Sequence, residues 1–173
     1  MKAITITVAI VAACLVAASM TWAQTTDDKN KEHAELAKAL KDAKVSLQRG
    51  LTASAKEGKP ISAKYEVEDG KLQLSVYTMK GDTFSEVIVD HKTGKIAKAE
   101  PITQGDDLIH AKAQSEAMAK AKRGLDAAAS HAAQENKGFR VVSVMPEIKD
   151  GHPIADVTLV KGTEWKTVAE KLD

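Results

Sequence analysis

Cysteine, aromatic residues and an excess of charge of one sign are all scarce in this sequence, and each shortage excludes something. One of its 173 residues is a cysteine, Cys14, and 3% are aromatic. Lys and Arg number 25 against 24 Asp and Glu, so the formal net charge is +1. A chain so close to neutral has no overall field to attract a nucleic acid or an anionic membrane. We therefore expect no nucleic-acid partner.

The N-terminus has the pattern of a bacterial export signal. Lys2 precedes an apolar run over residues 3–18, and Thr-Trp-Ala at 21–23 places small residues where signal peptidase requires them. This pattern predicts a signal peptide over 1–23, a mature chain that begins at Gln24, and a periplasmic or secreted protein.

Two other interpretations of this segment stay open. The apolar run approaches the about 20 residues that an uncleaved membrane anchor needs. The residues that end at Cys14 also resemble a lipoprotein box, in which that cysteine is the lipid acceptor. Membrane contact is expected only in these two cases. If Cys14 leaves with the signal, the mature chain has no disulfide, thiol nucleophile or thiolate ligand.

An internal repeat organises the rest of the chain. Arg-Gly-Leu occurs at 49–51 and again at 123–125, an offset of 74 residues, and Asp-Gly occurs at 69–70 and again at 150–151, an offset of 81. Each copy opens on an apolar stripe of helical period and continues with alternating strands separated by short turns. The sequence therefore predicts an α+β fold of two tandem repeats, each a helix followed by an antiparallel β-meander of three to four strands, with the helices on one face of the sheet.

A glycine interrupts each predicted helix. Gly50 and Gly124 lie inside the two apolar stripes, where glycine costs about 1 kcal/mol relative to alanine. A cost accepted twice indicates close backbone packing at both positions. The alternative is an ordinary helix break.

The first repeat resembles a known family. Residues 61–70, and above all Val89-Asp90 and Thr93-Gly94 within 87–96, resemble the strand and terminal V-D-x-x-T-G hairpin of the PepSY domain. The repeats are delimited as 27–102 and 106–173, and the second is less typical because it lacks the T-G hairpin. The tandem arrangement is also similar to secreted beta-lactamase-inhibitor-like folds. The resemblance implies a secreted, non-catalytic domain that binds or inhibits peptidases.

No residue pattern indicates catalysis or metal binding. The five histidines have no ligand spacing, and no nucleophile signature surrounds any serine. Asp106 and Asp107 precede a predicted helix, where capping is the usual role of such residues. We expect no enzyme activity, no cofactor and no metal.

Three aromatic residues form the candidate partner-binding site. Strand alternation places Tyr77, Phe84 and Trp165 on the sheet face that the predicted helices leave open. An exposed aromatic face suits a protein or peptide partner, such as a peptidase. Two alternatives are a joint in which these faces pack together, and a structural or sensory accessory that binds a small ligand or cation between the repeats. The turns at 90–94 and 150–153 are the next candidates.

Overall fold

A computed structural model describes the backbone of residues 20–173 and the side chains of residues 28–173. The chain divides into one unit over Met1–Glu32 and a second over His33–Asp173. The features below belong to the second unit. The predicted signal peptide and Cys14 fall outside the side chains described. Among the described residues, no helix is both long and apolar enough to span a membrane.

The described chain is α+β, with four α-helices and one seven-stranded antiparallel sheet, as its class was predicted. The sheet order is β4-β3-β2-β1-β5-β6-β7, so each meander begins at the centre and runs outward. The elements are α1 (Met20–Ala39), a 3-10 helix (Leu40–Asp42), α2 (Leu47–Ser54), β1 (Lys59–Glu68), β2 (Lys71–Lys80), β3 (Thr83–Val89), β4 (Ile96–Ile102), α3 (Gly105–Lys120), α4 (Leu125–Glu135), β5 (Arg140–Lys149), β6 (His152–Lys161) and β7 (Glu164–Lys171).

The Asp-Gly turns form as the sequence predicts. Asp69 and Gly70 have φ values of 50° and 72°, and Asp150 and Gly151 have 51° and 84°. Positive φ at both central residues defines a type I′ turn, whose twist matches that of the strands it joins. Aspartate tolerates this conformation and glycine adopts it freely, which is why this dipeptide closes both hairpins.

The two predicted helices are each broken into two. The chain leaves helical conformation after Asp42 and again at Ala121, then re-enters it at Leu47 and Leu125. Ser46 caps α2 by accepting a hydrogen bond from the Arg49 amide at 3.2 Å. Apolar periodicity continues across these breaks because helices on both sides face the core, so periodicity alone could not reveal them.

The two glycines therefore have different roles. Gly50 lies inside α2 and is buried, and a Cβ there would stand 2.6 Å from Leu74 Cδ2, so close packing at this position is confirmed. Gly124 is the N-cap of α4, with φ of −75° and ψ of 157°, and is exposed. The prediction that it lies in the middle of a helix is wrong.

Helices pack on both faces of the sheet, which corrects the expectation that they would share one. Tyr65 donates from its hydroxyl to Val45 O just before α2, and Glu170 contacts His131 on α4, so α2 and α4 cover one face. Tyr77 and Ser62, on the opposite face, hydrogen-bond to α3. The chain turns back over this second face after β4.

Candidate functional site

Tyr77 and Phe84 do not form an open aromatic surface. Each is only 8% exposed. Phe84 pairs in register with Met79 and Ile102 on the neighbouring strands, and Tyr77 donates from its hydroxyl to Asp107 Oδ1 at 2.6 Å. The face assignment behind the prediction agrees with this register, but the expectation that the face is free of helices is wrong.

Trp165 lies apart from the other two predicted residues. It is half-buried on β7, and its indole stacks on the His33 ring, with centroids 4.0 Å apart and an angle of 13° between the planes. The structure thus brings Tyr77 and Phe84 into the first meander and leaves Trp165 on the last strand, against α1. The three side chains do not form one surface.

A small polar cavity of about 70 Å³ lies beneath α3. Ser62 Oγ donates to Gln114 Oε1 at 2.7 Å, and Ser75 Oγ donates to Glu66 Oε1 at 2.6 Å. Burial and the hydrogen bond to Asp107 raise the pKa of Tyr77 far above its ordinary value, so this hydroxyl stays protonated and donates at neutral pH. The cavity is closed by hydrogen bonds within the fold and leaves no free acid or base.

Glu86 lies on the same face of the sheet. Burial, together with the negative charges of Glu66 and Glu68, raises its pKa above the ordinary value of a glutamate, against opposing effects of Ser75 and Lys64. The cause is desolvation on a covered sheet face, which is a structural reason for a shifted pKa and not a sign of acid–base catalysis.

A larger groove of about 870 Å³ lies between the end of α1, the 3-10 helix and the outer ends of β1, β2 and β3. Its wall includes the apolar side chains Val67, Leu72 and Ile88, which are half-buried. One border of the groove is the Asp90–Lys92 stretch of the turn that carries the PepSY-like motif. This turn was the next candidate after the aromatic face.

The motif itself builds the turn. Asp90 Oδ1 accepts hydrogen bonds from the amides of Lys92 at 3.0 Å and Thr93 at 2.7 Å, and from the Thr93 hydroxyl at 2.9 Å. The Thr93 and Lys92 hydrogen bonds lower the pKa of Asp90, which is fully exposed. Gly94 follows with φ of 73°. Aspartate, threonine and glycine at this spacing are therefore required by the turn, and they leave the Asp90 carboxylate engaged.

His91 connects the turn to the helical layer. Its carbonyl accepts the amides of Lys44 at 2.9 Å and Val45 at 3.0 Å, just before α2. Its ring lines the groove, and Nδ1 is buried without a hydrogen-bond partner among the described residues. A buried polar atom without a partner is costly, so this nitrogen can bond to something that enters the groove.

The groove carries more positive than negative charge. Four lysines line it, and no ion pair within 4.0 Å joins any of them to a carboxylate among the described residues. Glu35 and Asp42 are the acidic side chains on its rim that stay unengaged by such pairs. The lysines are Lys38, Lys41, Lys71 and Lys92.

The described side chains do not assemble a metal site. Among residues 28–173, no three His, Asp or Glu side chains converge closely enough to hold a metal ion. Glu170 is buried but accepts from Arg123 at 3.1 Å and contacts His131 Nδ1 at 2.9 Å. Sequence reasoning missed the groove because residues from five elements form it, and only the Asp90 turn gave a local signal.

The comparisons with known proteins place this chain beside none of them. No protein-family model, no curated protein and no solved structure matches it.

Proposed function

We propose that this protein is an exported, non-catalytic, PepSY-type binding module built from two related units, and that it binds a partner protein or peptide, such as a peptidase. The groove beside the Asp90 turn is the binding site. The observation that carries this proposal is the groove itself, which combines apolar walls, unpaired lysines and a buried imidazole nitrogen without a partner.

Two features of the sheet support the two-unit interpretation. Both central strands carry a register irregularity at the same place, between Pro60 and Ser62 in β1 and between Val141 and Ser143 in β5, 81 residues apart. Ala63 pairs with Val144, its own counterpart at that offset. A local two-fold relation between two copies of one meander accounts for both.

The connections to the helices support the same interpretation. The amides of Lys44 and Val45 donate to His91 O before α2, and those of Lys122 and Arg123 donate to Leu172 O before α4. His91 and Leu172 are again 81 residues apart, whereas the two amide pairs are 78 apart. The helices therefore align at an offset of 78, and the Arg-Gly-Leu match at 74 is fortuitous.

The chemistry of the groove favours an acidic, partly apolar segment of a partner. Lysine ammonium groups attract carboxylates over several ångströms, and half-buried Val67 and Leu72 gain by covering apolar surface. The volume also suits a few side chains of an extended peptide. A peptidase could be occluded by such contacts without any chemical step.

Binding to two synthetic peptide pools tests this site. The pools have the same length and leucine content, and one contains glutamate where the other contains lysine. We expect the acidic pool to bind, and the double substitution of Lys41 and Lys71 by serine to weaken binding about tenfold or more. The matched control replaces Lys137 and Lys149, which change the net charge equally away from the groove. Equal affinity of the two double variants would exclude the groove as the site.

A second candidate function is an accessory role with a small ligand bound between the two halves of the chain. A cleft of about 330 Å³ lies between α2, the end of α3 and the start of α4, and its lining is mainly apolar. Leu51, Met118 and Leu125 contribute to it. A rise in melting temperature with a small apolar probe such as 1-anilinonaphthalene, lost on Leu51→Ser, would favour this candidate.

A further inference from the structure

The two outer edges of the sheet differ in how open they are to another strand. β4 and β7 are the edge strands. An edge strand presents unpaired backbone N–H and C=O groups, and proteins often block it with proline, a bulge or charges. β4 contains Pro101 and a register shift opposite Ile88 and Val89. β7 contains no proline, and its pairing with β6 is continuous.

The turn before β7 fixes which of its backbone groups are free. Lys161 and Glu164 flank a two-residue turn with Gly162 at φ of 62°, so they form a hydrogen-bonded pair. Such pairs alternate along an antiparallel ladder. Lys166, Val168 and Glu170 therefore bond to β6. The backbone groups of Trp165, Thr167 and Ala169 point to the open edge.

The same reasoning places the proline of β4 on its open edge. Lys80 and Thr83 flank the corresponding turn, so the amide and carbonyl of Phe84, Glu86 and Ile88 bond to β4. Pro101 pairs with Ser85, between two such residues, and its nitrogen faces outward. A proline nitrogen has no hydrogen to donate, so this edge is blocked where β7 is open.

We propose that β7 pairs with β7 of a second copy of this chain, antiparallel and about a two-fold axis at Val168. In this register Thr167 pairs with Ala169 of the second copy, and Trp165 pairs with Lys171. These pairs use the free backbone groups and give about eight hydrogen bonds. Thr167 and Ala169 are exposed, so nothing among the described residues covers the edge there.

The charges along β7 select this register. With the axis at Val168, Lys166 lies opposite Glu170 of the second copy, and the same pair forms again on the other side of the axis. An axis at Thr167 would place Glu164 opposite Glu170, and like charges directly opposite each other destabilise a strand pair. The complementary register is also the one with more backbone hydrogen bonds.

The dimer should be weak. A single strand pair buries less than the about 1,000 Å² of a typical stable interface. We therefore expect association that depends on protein concentration in sedimentation velocity of the full chain. Thr167→Pro removes a donor from the open edge without removing a β6 bond, and should weaken association about tenfold or more. Ala99→Pro places the same residue at an outward position of β4 and should leave association unchanged.

A disulfide tests the register independently of proline tolerance. Across the axis the two Val168 Cα atoms should be about 4.5 Å apart, within the range that a disulfide bridges. In a Cys14→Ser background, Val168→Cys should form a covalent dimer under mild oxidation, and Lys166→Cys should not. A wild-type chain that stays monomeric up to about 1 mM overturns the proposal, as does crosslinking of both variants alike.

Discussion

Arg140 shows how much one side chain contributes to joining distant parts of this chain. Its guanidinium donates to Leu40 O at 2.9 Å, Ala43 O at 3.1 Å and Val45 O at 2.8 Å, and lies 5.2 Å from the centre of the Tyr65 ring. These carbonyls lie at the break between the 3-10 helix and α2, where no helical partner is available to them.

Arg140→Met should therefore destabilise the protein by about 2–4 kcal/mol, since three carbonyls lose their donors while the apolar stem is kept. Lys149→Met is the matched control on the same strand, because Lys149 is exposed. The measurement is the free energy of unfolding in urea. A loss for Arg140→Met no larger than that of the control would show that water replaces the guanidinium without cost.

The two glycines give a second prediction at this scale. Gly50→Ala should destabilise the protein by about 1–3 kcal/mol in spite of the better helix propensity of alanine, because Leu74 is fully buried and cannot move aside. Gly124→Ala should cost less, since the nearby atom, at 2.5 Å, belongs to the exposed side chain of Asp126. Thermal unfolding of the two variants measures the difference, and equal losses would contradict it.

At the scale of elements, the layer that α3 forms over the second sheet face decides what the aromatic residues do. Phe84→Ala should cost about 3–5 kcal/mol of stability through cavity formation, because its ring is buried. Trp165→Ala should cost less, since its ring is only half-buried. Melting curves of both variants beside the wild type test this, and an unchanged melting temperature for Phe84→Ala would restore its ring to an open surface.

Glu86 on that covered face predicts a pH dependence. Its pKa is raised in the folded state, so its charged form disfavours folding above that pKa and its protonation favours folding as the pH falls through it. Glu86→Gln should therefore be more stable than the wild type at pH 7, with the gap closing below the ordinary pKa of glutamate. Urea unfolding at several pH values measures it. A gap that is constant with pH would assign the effect to packing instead.

At the scale of the whole molecule, the processing of the N-terminus is the open prediction. The apolar run continues beyond Cys14, and small residues stand at positions 21 and 23. Exported protein should therefore begin at Gln24 and carry no lipid, and its intact mass decides this. A mass that corresponds to a diacylated N-terminal Cys14 would establish the lipoprotein alternative.

The sequence by itself determined the hairpins, the alternation of the strands and the Asp90 turn, because each depends on residues a few positions apart. Asp-Gly adopts the type I′ turn at 69–70 and at 150–151 wherever two strands meet, and Asp90 needs only Thr93 and the intervening amides. Only the tertiary structure decided where the helices break, that α3 covers Tyr77, and that α1 and the Asp90 turn enclose a groove. Those outcomes depend on contacts between residues dozens of positions apart, such as Arg140 with Leu40, for which local periodicity holds no signal.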